Sequence, residues 1–431
     1  MFRFALSPIG DMNINNLRVA IYNYMCAKQK GEKFIIRIED SDIDKNIEAK
    51  DQEILELLSL FGIIYDEVVY QSNNLKYHRQ LAMKLMIDKK AFACFCPEDL
   101  LEKKKKDAKK TNQTYKYDGT CEFLSDEEVL NNEKPFVIRA KKPNSIVTFY
   151  DHIQGDMNFE PDDVDSFIIL KVNKYPTYDF ACALDDMLYD ISFIIREEKY
   201  LLSTPKQELI RKYLGYDKKI EYAHLPIINT HDTKINKEHN ISNIKWLLEE
   251  GFLPSAIVNY LILLGNNKIS KDIFTLTEAL TWFDIKSISK TPVKFDIDKL
   301  RFINREHIKL IEPLELSKMV GFSSKDIGEL VKLYTKEVST INELKLKIET
   351  IFSEKESSKN KKNLDILKNI IKNAPYFKEF NEFERYLLQE SNLKEKEFSK
   401  TLRFLITGTK QGLNLSDIYP YIKNYITEIA R

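Results

Sequence analysis

Two segments near the start of the chain decide the fold: FRFALSPIGDMNINNLRVA at residues 2–20 and FIIRIEDSD at residues 34–42. The apolar run at residues 2–5 predicts a short strand, and apolar residues at helical spacing across 15–31 predict a helix. Residues 34–38 then predict a buried strand. A β-α-β unit of this length favours an α/β fold with a doubly wound parallel sheet, which binds ligands at the carboxyl ends of its strands.

The composition describes a globular chain of several domains. It has 431 residues, 43% of them hydrophobic, and its 66 basic side chains balance 66 acidic ones. Five cysteines are too few for a secreted disulfide framework, and no apolar run is long enough to cross a bilayer. We therefore expect a cytoplasmic monomer without a membrane partner.

The neutral total charge argues against a protein that binds nucleic acid by bulk attraction, but the charge is unevenly spread. Residues 301–431 contain 24 basic and 19 acidic side chains, so this third of the chain carries +5 and the rest carries −5. A basic C-terminal third can supply phosphate contacts. The alternative is a solvated helical surface.

Four segments, in this order along the chain, resemble signature motifs of the glutamyl-tRNA synthetases. They are RFALSPIGDMNINNLR at 3–18, RIEDSD at 37–42, YPTY at 175–178 and KINKE at 234–238. The resemblance implies a class I synthetase with a Rossmann-type doubly wound parallel sheet, an inserted α+β module and an all-α anticodon-binding region. It implies ATP-dependent attachment of glutamate to the 3′ end of tRNA through a glutamyl-adenylate.

The same resemblance divides the chain into five parts. These are the first half of the catalytic domain at 1–90, an inserted acceptor-binding module at 91–172, the second half of the catalytic domain at 173–243, a helical stem-contact region at 244–310 and a helical anticodon-binding region at 311–431.

The resemblance also implies a glutamate pocket. Two guanidinium groups, from Arg3 and Arg196, would clamp the side-chain carboxylate of the substrate in a planar way that lysine could not. Glu39 would face the ammonium group. The glutamate-binding residues implied by the family are Arg3, Ala5, Ser7, Glu39, Tyr178, Cys182 and Arg196.

The nucleotide motifs depart from the family pattern. Asn13 and Asn15 stand where the family has histidine and glycine, and Asn236 and Glu238 replace a serine and a basic residue. Asn13 retains a neutral donor, whereas a Cβ at Asn15 intrudes on the expected space for adenine. The implied ATP-binding residues are Asn13, Asn15, Asn16, Glu198 and Lys237, and the implied catalytic residues are Asn13, Asn15, Lys234 and Lys237. ATP is expected with Mg²⁺.

A possible zinc site follows from the cysteine spacing. Cys94 and Cys96 are followed by Cys121 after 24 residues, and Tyr117 stands four residues before that last cysteine. Thiolates suit Zn²⁺, and these four side chains would close a tetrahedron. The alternative is three thiols without a metal.

Two function hypotheses carry most weight. The first is a glutamate–tRNA ligase with tRNA, glutamate and ATP as ligands. The second is a catalytically impaired paralogue that acts as a tRNA-binding or regulatory protein, because the substitutions concentrate in the nucleotide motifs. An adenylate-forming enzyme that modifies something other than a 3′ end is weaker, since the helical C-terminal region would then lack a role.

Overall fold

The computed structural model describes residues 1–112, 115–230, 242–269, 271–356 and 361–431. The chain divides into two compact units. The first comprises Met1–Ile244, Leu261–Ser270 and Phe274–Phe295, and the second comprises Lys245–Tyr260, Lys271–Ile273 and Asp296–Arg431.

The strands of the described residues all lie in the first unit. They are β1 (Phe2–Leu6), β2 (Phe34–Ile38), β3 (Glu67–Tyr70), β4 (Ala91–Cys94), β5 (Val137–Ala140), β6 (Val147–Asp151), β7 (Gly155–Phe159), β8 (Ile168–Leu170), β9 (Phe193–Glu197), β10 (Glu221–Leu225), β11 (Ile228–Asn229) and β12 (Val293–Lys294).

The helices in the first part of the chain are α1 (Ile14–Lys30), α2 (Lys50–Leu60), α3 (Leu75–Ile87), α4 (Glu98–Lys110), α5 (Asp126–Leu130), α6 (Pro161–Val164), α7 (Tyr178–Leu188), α8 (Thr204–Tyr213), α9 (Ile244–Glu249), α10 (Pro254–Leu263) and α11 (Leu276–Ala279). Those that follow are α12 (Ile297–Leu310), α13 (Pro313–Met319), α14 (Lys325–Tyr334), α15 (Ile341–Phe352), α16 (Lys361–Asn373), α17 (Phe380–Ser391), α18 (Glu395–Thr407), α19 (Leu415–Ile422) and α20 (Ile426–Ile429).

The main sheet has the strand order β3-β2-β1-β9-β10-β6-β7 and is parallel except for β7. Its central strands β2 and β9 are buried along their whole length, as expected for strands with both faces covered. The predicted α/β class with a helical C-terminal region is confirmed. The sheet brings the carboxyl ends of β1, β2 and β9 to one edge.

The segment 91–172, predicted to be an inserted module, contributes to two sheets. β4, β5 and β8 form a separate antiparallel sheet. The hairpin of β6 and β7 instead pairs with β10 and so extends the main sheet. Strand propensity alone does not identify the partner of a strand, so the sequence could not predict this division.

The second unit is helical in its described residues. Apolar side chains recur with the helical period and form its core, for example Ile327, Leu330 and Val331 on α14 and Leu344 and Ile348 on α15. In neither unit is a described helix long and apolar enough to cross a membrane.

Gly328 provides a stability test of this packing. A Cβ at this position would lie 1.7 Å from the carbonyl oxygen of Pro313 on α13, so the two helices would have to separate. Alanine in place of glycine normally stabilises a helix interior, but Gly328→Ala is expected to lower the free energy of unfolding by about 1–3 kcal/mol. Lys325→Ala, on the exposed side of the same helix, is the control for urea unfolding. A stabilised Gly328→Ala variant would contradict the close approach.

Candidate active site

A cavity of about 240 Å³ lies at the carboxyl ends of β1, β2 and β9. Its lining contains six of the predicted glutamate-site residues, which are Arg3, Ala5, Ser7, Glu39, Tyr178 and Arg196. A second cavity of about 570 Å³ shares Ser7, Glu39 and Tyr178 with the first. The two spaces are therefore neighbours along one edge of the sheet, where parallel α/β folds bind their ligands.

Arg3 is held by a buried carboxylate. Its Nε donates to Oδ1 of Asp186 on α7 at 3.2 Å, and Asp186 is fully buried. The same oxygen accepts a hydrogen bond from Nη1 of Arg37 at 2.6 Å. Burial would raise the pKa of Asp186, but the charges of Arg3 and Arg37 outweigh it and hold that pKa far below its usual value. Asp186 is therefore ionised and fixes two arginines.

Glu39 is held by the same network. Nη2 of Arg37 donates to Oε1 of Glu39 at 3.2 Å, and the thiol of Cys182 donates to the same oxygen at 3.1 Å. Cys182 lies behind Glu39 and is itself 1% exposed. The structure thus places this predicted glutamate-binding residue in contact with a pocket carboxylate, and Glu39 keeps its orientation towards the cavity.

Arg196 is held by neutral groups. Its Nε donates to Nε2 of His224 at 3.1 Å, its Nη1 to Oε1 of Gln207 at 3.0 Å and its Nη2 to the hydroxyl of Thr204 at 2.7 Å. Nδ1 of His224 donates to Oδ2 of Asp151 at 2.6 Å. Burial, aided by the charge of Arg196, lowers the pKa of His224 to about 4 against the pull of Asp151. The imidazole is therefore neutral at ordinary pH.

The asparagines of the first motif lie at the start of α1. The side-chain oxygen of Asn13, the N-cap residue, accepts from the backbone N–H of Asn16, and the side-chain oxygen of Asn16 accepts from the backbone N–H of Asn13. Both line the cavity. The side-chain oxygen of Asn15 accepts from the backbone N–H of Ile228 at 3.0 Å, so this amide is engaged next to β11.

Three further residues line the cavity at the end of β9 and just after it, and the sequence did not assign them. Glu197 is 8% exposed and accepts from Nζ of Lys199 at 2.9 Å, and the ring of Tyr200 stacks on Tyr178. Glu198, predicted for ATP, is not among the lining residues of this cavity, whereas its neighbour Glu197 is. The rule that polar residues at the carboxyl ends of parallel strands line the site could have found all three.

Some predicted residues lie outside the described structure, and some residues of the observed site were not predicted. Lys234 and Lys237, together with Asn236 and Glu238, lie outside the described residues. Asp186, His224 and Gln207 were not predicted. An indication for Asp186 was available, because an acidic pair follows the apolar run FACAL of α7, where a buried face was expected.

The predicted thiol cluster assembles in the antiparallel sheet region. The Sγ atoms of Cys94, Cys96 and Cys121 lie within 4.8 Å of one another. The hydroxyl of Tyr117 is 3.4 Å from Sγ of Cys94 and 3.4 Å from Sγ of Cys96. The four side chains therefore converge on one point, and Arg139 covers the ring of Tyr117 at 4.1 Å from its centroid.

Comparison with known proteins gives consistent results. Residues 1–302 match the family described as class I tRNA synthetases (E and Q), catalytic domain. The chain is 52% identical over the full length of both proteins to glutamate–tRNA ligase 2 of Sulfurimonas denitrificans. It is 54% identical, again over both full lengths, to glutamate–tRNA ligase 2 of Campylobacter jejuni subsp. doylei.

Solved structures show the same fold. A crystal structure of a glutamate tRNA ligase from Elizabethkingia meningosepticum, in complex with its amino acid, superposes with a TM-score of 0.82 at 23% identity. The match covers 99% of this chain and 97% of that one. The architecture described above is therefore shared with that protein.

The Asp186 network gives a second stability prediction. Asp186→Asn removes the charge that compensates Arg3 and Arg37, so we expect the free energy of unfolding to fall by about 3 kcal/mol. Asp190→Asn is the control, because Asp190 pairs with Lys218 at the surface and exposed pairs contribute about 1 kcal/mol or less. Chemical unfolding measures both. Equal changes in the free energy of unfolding for the two substitutions would contradict a stabilising role of Asp186 in the buried ion pairs.

Proposed function

The chain belongs to the class I tRNA synthetases for glutamate and glutamine, and we propose that it is a glutamate–tRNA ligase. In this reaction an oxygen of the α-carboxylate of glutamate attacks the α-phosphorus of ATP, and pyrophosphate leaves. A hydroxyl of the terminal ribose of tRNA then attacks the carbonyl carbon of the glutamyl-adenylate, and AMP leaves. The protein must hold these reactants in line and stabilise the charge that develops.

The observation that carries the proposal is the charge pattern of one cavity. Arg3 and Arg196 both line it, and Glu39 lines it as well. Two guanidinium groups match a side-chain carboxylate, and the carboxylate of Glu39 matches an ammonium group. A dicarboxylic amino acid carries both groups. Ala5, Ser7 and Tyr178 would complete its pocket, with Cys182 supporting Glu39 from behind.

We propose that ATP binds beside this pocket at the start of α1. Asn13 and Asn16 line the cavity there, at a helix N-terminus without acidic residues in its first turn, and such an end attracts phosphate. Asn15, Glu198, Lys234 and Lys237 remain proposed nucleotide-site residues. Mg²⁺ bound with ATP supplies positive charge to the phosphates.

The remaining parts of the chain receive roles from the same proposal. The module at 91–172 would bind the acceptor end of tRNA, the region at 244–310 its stem and the basic region at 311–431 its unpaired anticodon bases. Because these substrates are found in the cytoplasm, we propose that the chain acts there, as a monomer.

We propose that Cys94, Cys96, Tyr117 and Cys121 hold a structural zinc ion. Three thiolates and one phenolate oxygen are suitable ligands, and Sγ of Cys96 lies 3.6 Å from Sγ of Cys121, a separation that suits two thiolates bound at about 2.3 Å to one Zn²⁺. A four-ligand site without an open position stabilises the fold and takes no part in the reaction.

Charging of total tRNA with radiolabelled glutamate, ATP and Mg²⁺ tests the proposed function. We expect the wild-type protein to charge tRNA above background. The double variant Asn13→His with Asn15→Gly restores the phosphate donor and the space for adenine, so its kcat should rise about tenfold or more.

The outcome that contradicts a ligase is specific. If the wild-type protein binds tRNA but charges none, and the double variant charges it, the chain is an impaired paralogue with an intact amino-acid pocket. Binding of neither tRNA nor glutamate would contradict both hypotheses.

Metal analysis tests the zinc proposal. We expect about one zinc per chain in the purified wild-type protein and a loss of that zinc in Cys96→Ser, because a tetrahedral site tolerates the loss of a thiolate poorly. Cys26→Ser is the matched control, since Cys26 is a buried thiol on α1 away from the cluster. Zinc-free wild-type protein, purified without chelator, would contradict the site.

A further inference from the structure

The two arginines of the pocket differ in how their charge is compensated. Arg3 shares the ionised carboxylate of Asp186 with Arg37, and Arg37 also pairs with Glu39. Two cations and two anions balance there. Nζ of Lys199 pairs with Glu197, and both residues line the cavity. Arg196 differs, because each of the three hydrogen-bond partners described for it is neutral.

The neutrality of these partners follows from their chemistry. Thr204 and Gln207 cannot ionise, and arginine can only donate, so the oxygen of the Gln207 amide must face Arg196. For His224, Asp151 accepts from Nδ1, which leaves Nε2 unprotonated and free to accept from Arg196 at 3.1 Å and to contact the Thr204 hydroxyl at 3.0 Å. The Asp151 carboxylate contacts His224, and His224 in turn contacts Arg196.

The geometry leaves two donors for a ligand. A guanidinium group has five N–H bonds, and three of them are used, one on each nitrogen. The remaining two, one on Nη1 and one on Nη2, are available to the oxygens of a carboxylate. Arg196 is 6% exposed, so its charge is poorly solvated until a ligand arrives.

We propose that Thr204, Gln207 and His224 form a neutral cage that leaves Arg196, among the cationic side chains described in the cavity lining, without an ionised partner, and that its charge selects a substrate side chain ending in a carboxylate over one ending in an amide. The proposal rests on the proposed function and identifies what would distinguish glutamate from glutamine. Glutamine has almost the same shape, but it would leave a buried cation without a counter-ion, and such a mismatch is costly. The cage residues are positioning residues, since they act through Arg196.

Gln207→Glu is the sharpest test, because it changes one amide of the cage to a carboxylate with almost no change in shape. The new carboxylate would compensate Arg196 before substrate binds. We expect the KM for glutamate to rise about 30-fold or more with a smaller change in kcat, and the ratio of kcat/KM for glutamate over glutamine to fall at least about tenfold. Gln207→Met keeps the site neutral and should retain most of the wild-type ratio.

One control variant and one further cage variant accompany Gln207→Glu. Gln52→Glu adds the same charge at an exposed position of α2 and should leave both kinetic constants unchanged. His224→Gln replaces the imidazole with another neutral acceptor, so it should keep the preference for glutamate even if the KM rises. Thermal unfolding shows whether each variant is folded. If Gln207→Glu does not fold, the preference of His224→Gln for glutamate over glutamine tests the cage instead.

Direct calorimetric binding of glutamate and of glutamine separates this inference from the proposed function. If the wild-type protein binds glutamate but charges no tRNA, the proposed function fails, and the binding ratio in Gln207→Glu still tests the cage. If the wild-type protein charges tRNA and folded Gln207→Glu retains the wild-type ratio, the cage is overturned. Loss of the preference for glutamate in both Gln207→Met and His224→Gln would also overturn it, since neutral replacements should preserve selection.

Discussion

The site depends on one buried carboxylate oxygen, Oδ1 of Asp186, which accepts hydrogen bonds from Arg3 on β1 and Arg37 on β2. Unpaired, any of these three buried charges would destabilise the fold by several kcal/mol. The fold therefore keeps β1, β2 and α7 in one arrangement. Because Arg37 also holds Glu39, this carboxylate and Arg3 are fixed through the same network.

Two kinds of hydrogen-bond acceptor hold the arginine side chains of the pocket. Ionised carboxylates neutralise Arg3 and Arg37, whereas neutral acceptors surround Arg196. Both kinds prevent the side chains from moving, which is what a site that works by positioning requires. Only the second kind leaves charge available for a ligand. The sheet makes the division possible, because the pairing of β9 with β10 places Arg196 beside His224.

Sequence reasoning predicted the parts of this site that lie in short motifs. The first β-α-β unit follows from the local apolar pattern, and the roles of Arg3, Glu39 and Arg196 are those that the family resemblance implies. Asp186 and His224 could not be placed in the same way, because their contacts join residues 183 and 28 positions apart in the chain. Sequence reasoning did not indicate that Glu197 lines the cavity, since adjacent residues at the end of a strand point to opposite faces. The edge position of β6 and β7 depends on pairing that no local pattern encodes.

The most direct test is a crystal structure with glutamate bound. The account predicts the side-chain carboxylate between the guanidinium groups of Arg3 and Arg196, with oxygen–nitrogen distances of about 2.7–3.2 Å, and the ammonium group facing Glu39. Glutamate bound with its side-chain carboxylate directed away from both arginines would contradict the account.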